Sequence, residues 1–123
     1  MVFGIGVDVC KIERFEKLVE DEKFIKRYFN PKEIREFDTK TRASEYYASR
    51  FAVKEAFSKA LGTGLKGFEL KDIFVVNNEQ GKPEIQIEKS VTEVFTKICP
   101  GGKINLSISH EKEYAAAFVV IEQ

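Results

Sequence analysis

Four alanines, Ala48, Ala52, Ala56 and Ala60, recur at every fourth position. A helix through them presents a ridge of small side chains, which lets its axis come close to a sheet or to another helix. Such a helix belongs inside the fold. Beside the ridge, Phe51, Glu55 and Lys59 repeat with the same spacing, placing a carboxylate and an ammonium one turn apart on a face expected to be largely buried. Burying those charges is costly unless something charged binds there; the alternative is a Glu55/Lys59 surface ion pair, worth about a few tenths of a kcal/mol. Gly62 or Gly64 can take the left-handed conformation that closes the helix.

A chain of 123 residues is expected to form one domain over 1–123, burying roughly two thirds of its unfolded surface without metal or disulfide staples. Its 20 basic residues cancel 20 acidic ones, which argues against a duplex nucleic acid as partner while permitting local basic patches. Cys10 and Cys99 are far apart and outside any Cys-x-x-Cys pattern, so neither a disulfide framework nor a zinc site is expected and a reducing cytoplasm fits. The first residues lack the basic region and apolar core of a signal peptide, and no run has the length of a membrane span.

Phe3, Ile5, Val7 and Val9 alternate with Gly4, Gly6 and Asp8, the period of a half-buried strand with one apolar and one almost bare face. Two glycines leading to an acid suggest that another backbone or a ligand comes close; Asp8 could equally cap the following helix. Ile12, Phe15, Leu18 and Val19 form a helical stripe, and Phe24, Ile25, Tyr28 and Phe29 form another. Asn30-Pro31 with Glu33 reads as a further helix start through a capping box, and Thr41 or Ser44 is expected to open the long helix that carries Glu55. Beyond Gly67, Ile73 to Asn77 and Pro83 to Glu88 flank the turn Glu79-Gln80-Gly81-Lys82 and predict a hairpin. Ser90 with Glu93 is a second capping box, for a helix that stops at Pro100-Gly101-Gly102. The strand containing Ile104, Leu106 and Ile108 delivers His110, the one histidine, to its end. Tyr114 to Ile121 is apolar on both faces, so it is expected to be covered on both sides, by its own helices or by another subunit. The result is an α+β domain, an antiparallel sheet packed with helices in the order β-ααα-ββ-α-ββ.

Four stretches together resemble one family. Gly4-Ile5-Gly6-Val7-Asp8 with Arg14, Arg50-Phe51-Ala52-Val53-Lys54-Glu55-Ala56-Phe57-Ser58-Lys59-Ala60-Leu61-Gly62, Gly81-Lys82-Pro83 and Ser107-Ile108-Ser109-His110 look like the holo-(acyl-carrier-protein) synthases, the small 4′-phosphopantetheinyl transferases. The resemblance runs from residue 3 to about residue 121. It implies transfer of 4′-phosphopantetheine from coenzyme A to a serine of apo acyl carrier protein, releasing 3′,5′-ADP, with Mg2+ as cofactor and a role in fatty acid biosynthesis.

Magnesium is held by one or two carboxylates with phosphate oxygens and waters, and Asp8 and Glu55 offer two carboxylates from separate elements. By similarity to the family these two hold the metal on the coenzyme A pyrophosphate, and Lys59 reaches the same group as a point charge. Glu55 and a metal-bound water both stay open as the base for the serine. The resemblance further places Arg50, Ser109 and His110 near the 3′-phosphoadenosine, Gly81, Lys82 and Pro83 around the adenine, and Gly62 beside coenzyme A. It implies that Arg14 and its helix meet the acidic carrier protein. The acidic run Glu20-Asp21-Glu22 departs from the family pattern there, so docking is expected to lean on Arg14, Lys17, Lys23 and Arg27. A homotrimer with active sites shared between chains is also implied. Two rival readings are another magnesium-dependent nucleotide enzyme, which lacks the Gly-x-x-x-x-Gly-Lys-Ser/Thr loop, and a non-catalytic interaction module.

Overall fold

A computed structural model describes residues 1–64 and 66–123. Strand β1 (Val2–Lys11) leads through a 3-10 turn at Ile12–Arg14 into α1 (Phe15–Leu18), then α2 (Glu22–Tyr28) and the long α3 (Lys40–Leu61). The hairpin β2 (Ile73–Asn77) and β3 (Pro83–Ile87) follows, then α4 (Lys89–Ile98), β4 (Lys103–His110) and β5 (Tyr114–Glu122). The expected α+β order is therefore present. β1, β5 and β4 form an antiparallel sheet with β5 in the middle, and β2 and β3 form a second antiparallel pair.

The alanine ridge sets the packing. Ala48, Ala52, Ala56 and Ala60 are all buried, and α3 lies across β1 and β5. What meets the ridge is the bare face of β1. A Cβ added at Gly4 would lie 2.0 Å from the Ala60 carbonyl oxygen, and one at Gly6 would lie 1.9 Å from that of Ala56. The close approach is thus made by another backbone, and the glycines do not leave room for a ligand beside Asp8.

This inverts the expected sense of β1: its apolar residues point away from α3. Ile5, Val7 and Val9 are 61%, 52% and 61% exposed. They pair with Val120, Phe118 and Ala116 of β5, where Phe118 and Tyr114 are also exposed. On β5 only the inward residues Ala115, Ala117, Val119 and Ile121 are buried, so within this chain the strand is covered on one side and not on both. Apolar alternation marks a face suited to burial, and does not say which face of the strand the core of the same chain takes.

Local boundaries differ from the sequence expectation in three places. Asn30 and Glu33 make one half of a capping box, the Asn30 N–H donating to Glu33 Oε1 at 3.1 Å, while the Asn30 side chain accepts from the Lys32 N–H, and only a turn follows. The long helix opens earlier, at Thr39, whose hydroxyl accepts from the Arg42 N–H at 3.2 Å. The helix expected from Ser90 instead starts at Lys89 after Glu88, with no side-chain cap.

Glu33 has a different part to play. It is fully buried, and its carboxylate accepts from Lys54 Nζ at 2.6 Å and from the Val75 N–H at 3.2 Å. Lys54, also fully buried, donates in addition to the Ile73 carbonyl. Burial pulls the Lys54 ammonium below its ordinary value and the Glu33 charge opposes that shift. On α3 Lys54 lies roughly 160° from Ala56, so it faces away from the main sheet. One ion pair therefore joins α3, the turn at 30–33 and strand β2.

Candidate active site

Asp8 and α3 meet on the inner side of β1. Asp8 pairs with Ala117, an inward residue, so its carboxylate faces α3. Lys59, near the C-terminal end of α3, donates to the Val7 carbonyl at 3.0 Å and lies 3.4 Å from Asp8 Oδ1. Neither the helix-capping role for Asp8 nor the Glu55/Lys59 ion pair is realised among the described residues: the N-cap position before Ile12 is Lys11, and the partner of Lys59 is Asp8.

Glu55 stands beside this pair, half-buried. Its carboxyl is raised above the ordinary glutamate range, first by burial and then by the Asp8 charge, while Lys59 pulls the other way. Two carboxylates close enough to repel, with an ammonium beside them, form an electrostatic arrangement that a cation would relieve. No third histidine, cysteine or acidic residue joins them among the described residues. Gly62, in the left-handed conformation at φ 84°, ends α3, and an open cavity is lined by Glu55, Ser58, Lys59, Gly62 and Gly64.

The other expected site residues lie elsewhere in this chain. His110 pairs with Ala115 at the end of β4, on the same side of the sheet as Asp8 but with β5 between them, roughly 10 Å across the strands. Ser109 pairs with Ala116 on the opposite, outer side. Arg50 precedes Glu55 by five residues on α3, so it points roughly 140° away around the helix; its guanidinium lies 4.1 Å from the centroid of the Tyr46 ring. Gly81, at φ 84°, makes the tight turn that brings Lys82 and Pro83 to the end of the hairpin. One chain thus gathers Asp8, Glu55, Lys59 and Gly62, keeps His110 a strand away from them, and leaves Arg50 on another face of α3.

Arg14 and Lys17 lie on the first helical segment and Lys23 and Arg27 on α2. The acidic run between them is occupied internally: Glu20 pairs with Lys40 at 3.1 Å, Asp21 caps α2 by accepting from the Phe24 N–H, and Glu22 pairs with Lys26 at 2.8 Å. Sequence reasoning missed Lys54, Glu33 and Tyr46. Lys54 alone carried a signal, since its position two residues from Ala52 puts a charge on the side of the helix opposite the alanine ridge, next to the apolar Val53 and Phe57.

The family model for the 4′-phosphopantetheinyl transferase superfamily matches residues 4–119. A holo-[acyl-carrier-protein] synthase of Treponema denticola is 44% identical over 123 residues, covering 99% of each chain. The crystal structure of the holo-[acyl-carrier-protein] synthase from Neisseria meningitidis aligns with a TM-score of 0.87 at 34% identity, covering 100% of both chains. That from Bacillus anthracis, in complex with CoA (3′,5′-ADP), aligns with a TM-score of 0.77 at 36% identity, covering 98% of this chain and 96% of the other.

Proposed function

This chain belongs to the 4′-phosphopantetheinyl transferase superfamily, among the holo-[acyl-carrier-protein] synthases, and from that premise we propose how its residues divide the work. The reaction is transfer of 4′-phosphopantetheine from coenzyme A to a serine hydroxyl of apo acyl carrier protein: an oxygen–phosphorus bond forms to the serine, the phosphoanhydride bond breaks, and 3′,5′-ADP leaves. The observation that carries the assignment is the convergence of Asp8 from β1 with Glu55 and Lys59 from α3.

Phosphoryl-type transfer needs positioning and neutralisation of developing charge more than covalent help from the protein. Two carboxylates without a third side-chain ligand fit Mg2+, a hard cation that keeps waters and takes substrate phosphate oxygens. Bound by Asp8 and Glu55, magnesium would neutralise pyrophosphate oxygens as the leaving group departs. Lys59, at the rim of the same site, supplies a mobile positive charge to those oxygens, and its hydrogen bond to the Val7 carbonyl sets its direction. The proton of the attacking serine would go to Glu55 or to a metal-bound water. The direct test is the mass of apo acyl carrier protein after incubation with this protein, coenzyme A and Mg2+. A gain equal to one phosphopantetheine, lost on chelation, supports the reading; no gain with a folded carrier would sink it.

The carrier protein is acidic, and the surface offered to it is the basic set Arg14, Lys17, Lys23 and Arg27. With Glu20 and Glu22 already paired to Lys40 and Lys26, the acidic run does not stand as free negative charge on that path. Opposite charge steers such encounters.

The working unit is a homotrimer in which coenzyme A lies between chains, each folded over 1–123 and acting in the cytoplasm. Support comes from the exposed apolar face of β1 and β5, from the direction of Arg50, which lies around the helix from Glu55, and from His110, which β5 separates from Asp8. Patches of this kind mark interaction surfaces. Glu55→Gln and His110→Ala, each nearly inactive alone, are expected to regain activity when refolded together, because some interfaces then carry both intact residues. Mixed trimers, verified by a mass tag on one variant, that stay as inactive as the parents would disprove a site divided in this way.

A further inference from the structure

The edge of β2 that faces away from β3 has no strand beside it. Among the described residues β2 and β3 pair only with each other, and in an antiparallel ladder every second residue turns its N–H and C=O away from the partner strand. Ile73 and Val75 do so while buried, so their outward groups need other partners. Three side chains supply them at every second position. The Lys71 carbonyl accepts from Asn30 Nδ2 at 3.0 Å, the Ile73 carbonyl accepts from Lys54 Nζ, and the Val75 N–H donates to Glu33 Oε2 at 3.2 Å. Asn30, Lys54 and Glu33 thus replace a missing neighbour strand along residues 71–75.

Apolar side chains of similar size would often hold such a seam with no loss of stability, since a buried ion pair must first repay its own desolvation. What apolar contact lacks is direction. Hydrogen bonds to fixed main-chain atoms hold a strand at one height and one tilt, and Lys54 is itself seated over the Phe29 ring, 5.2 Å from its centroid. The setting is passed on to the end of the hairpin. Val75 pairs with Ile85, and the second pair beyond it, Asn77 with Pro83, lies roughly 7 Å farther along the strand. Past that pair the turn is closed by its own bonds. The Asn78 N–H donates to the Lys82 carbonyl at 2.8 Å, the Asn78 carbonyl accepts from the Gly81 N–H at 2.9 Å, and Asn78 Oδ1 accepts from the N–H groups of Gln80 and Lys82, both at 2.9 Å. Turn and strand therefore move as one piece.

We propose that Asn30, Lys54 and Glu33 are positioning residues for coenzyme A: by holding the free edge of β2 they set where Gly81, Lys82 and Pro83 meet the adenine. This rests on the coenzyme A reading above and deepens it. All three side chains are buried, so they act through the hairpin and not on the ligand.

The test compares coenzyme A with an analogue carrying hydrogen in place of the adenine, by calorimetry and in the transfer assay. Three variants are used: Lys54→Met/Glu33→Gln, which leaves no charge behind; Asn30→Ala, which removes one support and spares the ion pair; and Gly81→Val, which strains the turn itself at φ 84°. The double variant should bind coenzyme A on the order of tenfold more weakly, the scale on which such networks act on a distant site, and the adenine-free analogue within about twofold of the wild type. The kcat at saturating coenzyme A and the KM for carrier protein should not change. Asn30→Ala should show the same selectivity with a smaller loss, and it decides alone if the far-ultraviolet spectrum shows the double variant unfolded. Equal losses for both ligands, or a fall in kcat with coenzyme A binding intact, would mean a general loosening of the fold and refute the proposal. Unchanged coenzyme A binding in a folded double variant refutes it as well. If Gly81→Val loses the distinction between the ligands and the other variants keep it, the positioning role fails while the reading of the hairpin stands. If the wild type binds both ligands alike, both fail.

Discussion

Glu55→Gln and Asp8→Asn are each expected to lower the rate of carrier-protein modification by on the order of a hundred- to a thousand-fold, the scale seen when one electrostatic partner of a developing charge is removed. Both substitutions preserve shape and delete a charge. Neither should disturb the fold: among the described residues Glu55 is half-buried with no ion pair, and Asp8 has a single salt bridge, to the exposed Lys59. Relief of repulsion between the two carboxylates offsets part of any loss in stability. The rate is read by mass spectrometry across a magnesium titration, with the far-ultraviolet spectrum checking the fold. Near-normal turnover with an unchanged magnesium midpoint in either variant would remove that residue from the metal site.

A second large effect is expected in stability. Lys54→Met keeps the length of the side chain but strands the Glu33 carboxylate in the interior, and losing one partner of a buried ion pair typically costs about 3–5 kcal/mol. The double variant Lys54→Met/Glu33→Gln leaves no charge behind, so it should be more stable than the single variant. Lost contacts to the Ile73 carbonyl keep it below the wild type. Denaturation midpoints must be compared at one chain concentration, since assembly adds to apparent stability. A double variant less stable than Lys54→Met would show that the hydrogen bonds of Glu33 to Asn30 and Val75, and not its charge, hold this junction.

The sequence was most legible where a single period governed the outcome. The four alanines announced a buried helix, the glycine turn announced the hairpin, and Asp8, Glu55 and Lys59 fell together because the glycine face of one strand and the alanine face of one helix are made for each other. It was least legible where the answer depended on something outside the local window. Ile5, Val7 and Val9 have the pattern of core residues, yet the core lies on the other side of their strand. Glu33 looked like half of a capping box and does accept from the Asn30 N–H, but its carboxylate is also claimed by Lys54, twenty-one positions away. Ser90 matched a helix-start pattern without supplying the cap, because Glu88 already ends the preceding strand and turns the chain.

The contact between β1 and α3 also acts as a gauge. Gly6 touches the main chain at Ala56; Asp8 is the next inward residue along that strand, and Glu55 is the residue before Ala56 on the helix. The separation of the Asp8 and Glu55 Cα atoms is therefore inherited from backbone contact, with no side chain wedged between the strand and the helix there. Substitutions in the rest of the core can loosen the protein without changing that span, whereas the first carbon added at Gly6 must open it. The chain can thus tolerate wide drift in its apolar interior while the approach of β1 to α3 is fixed by the absence of a side chain at Gly4 and Gly6.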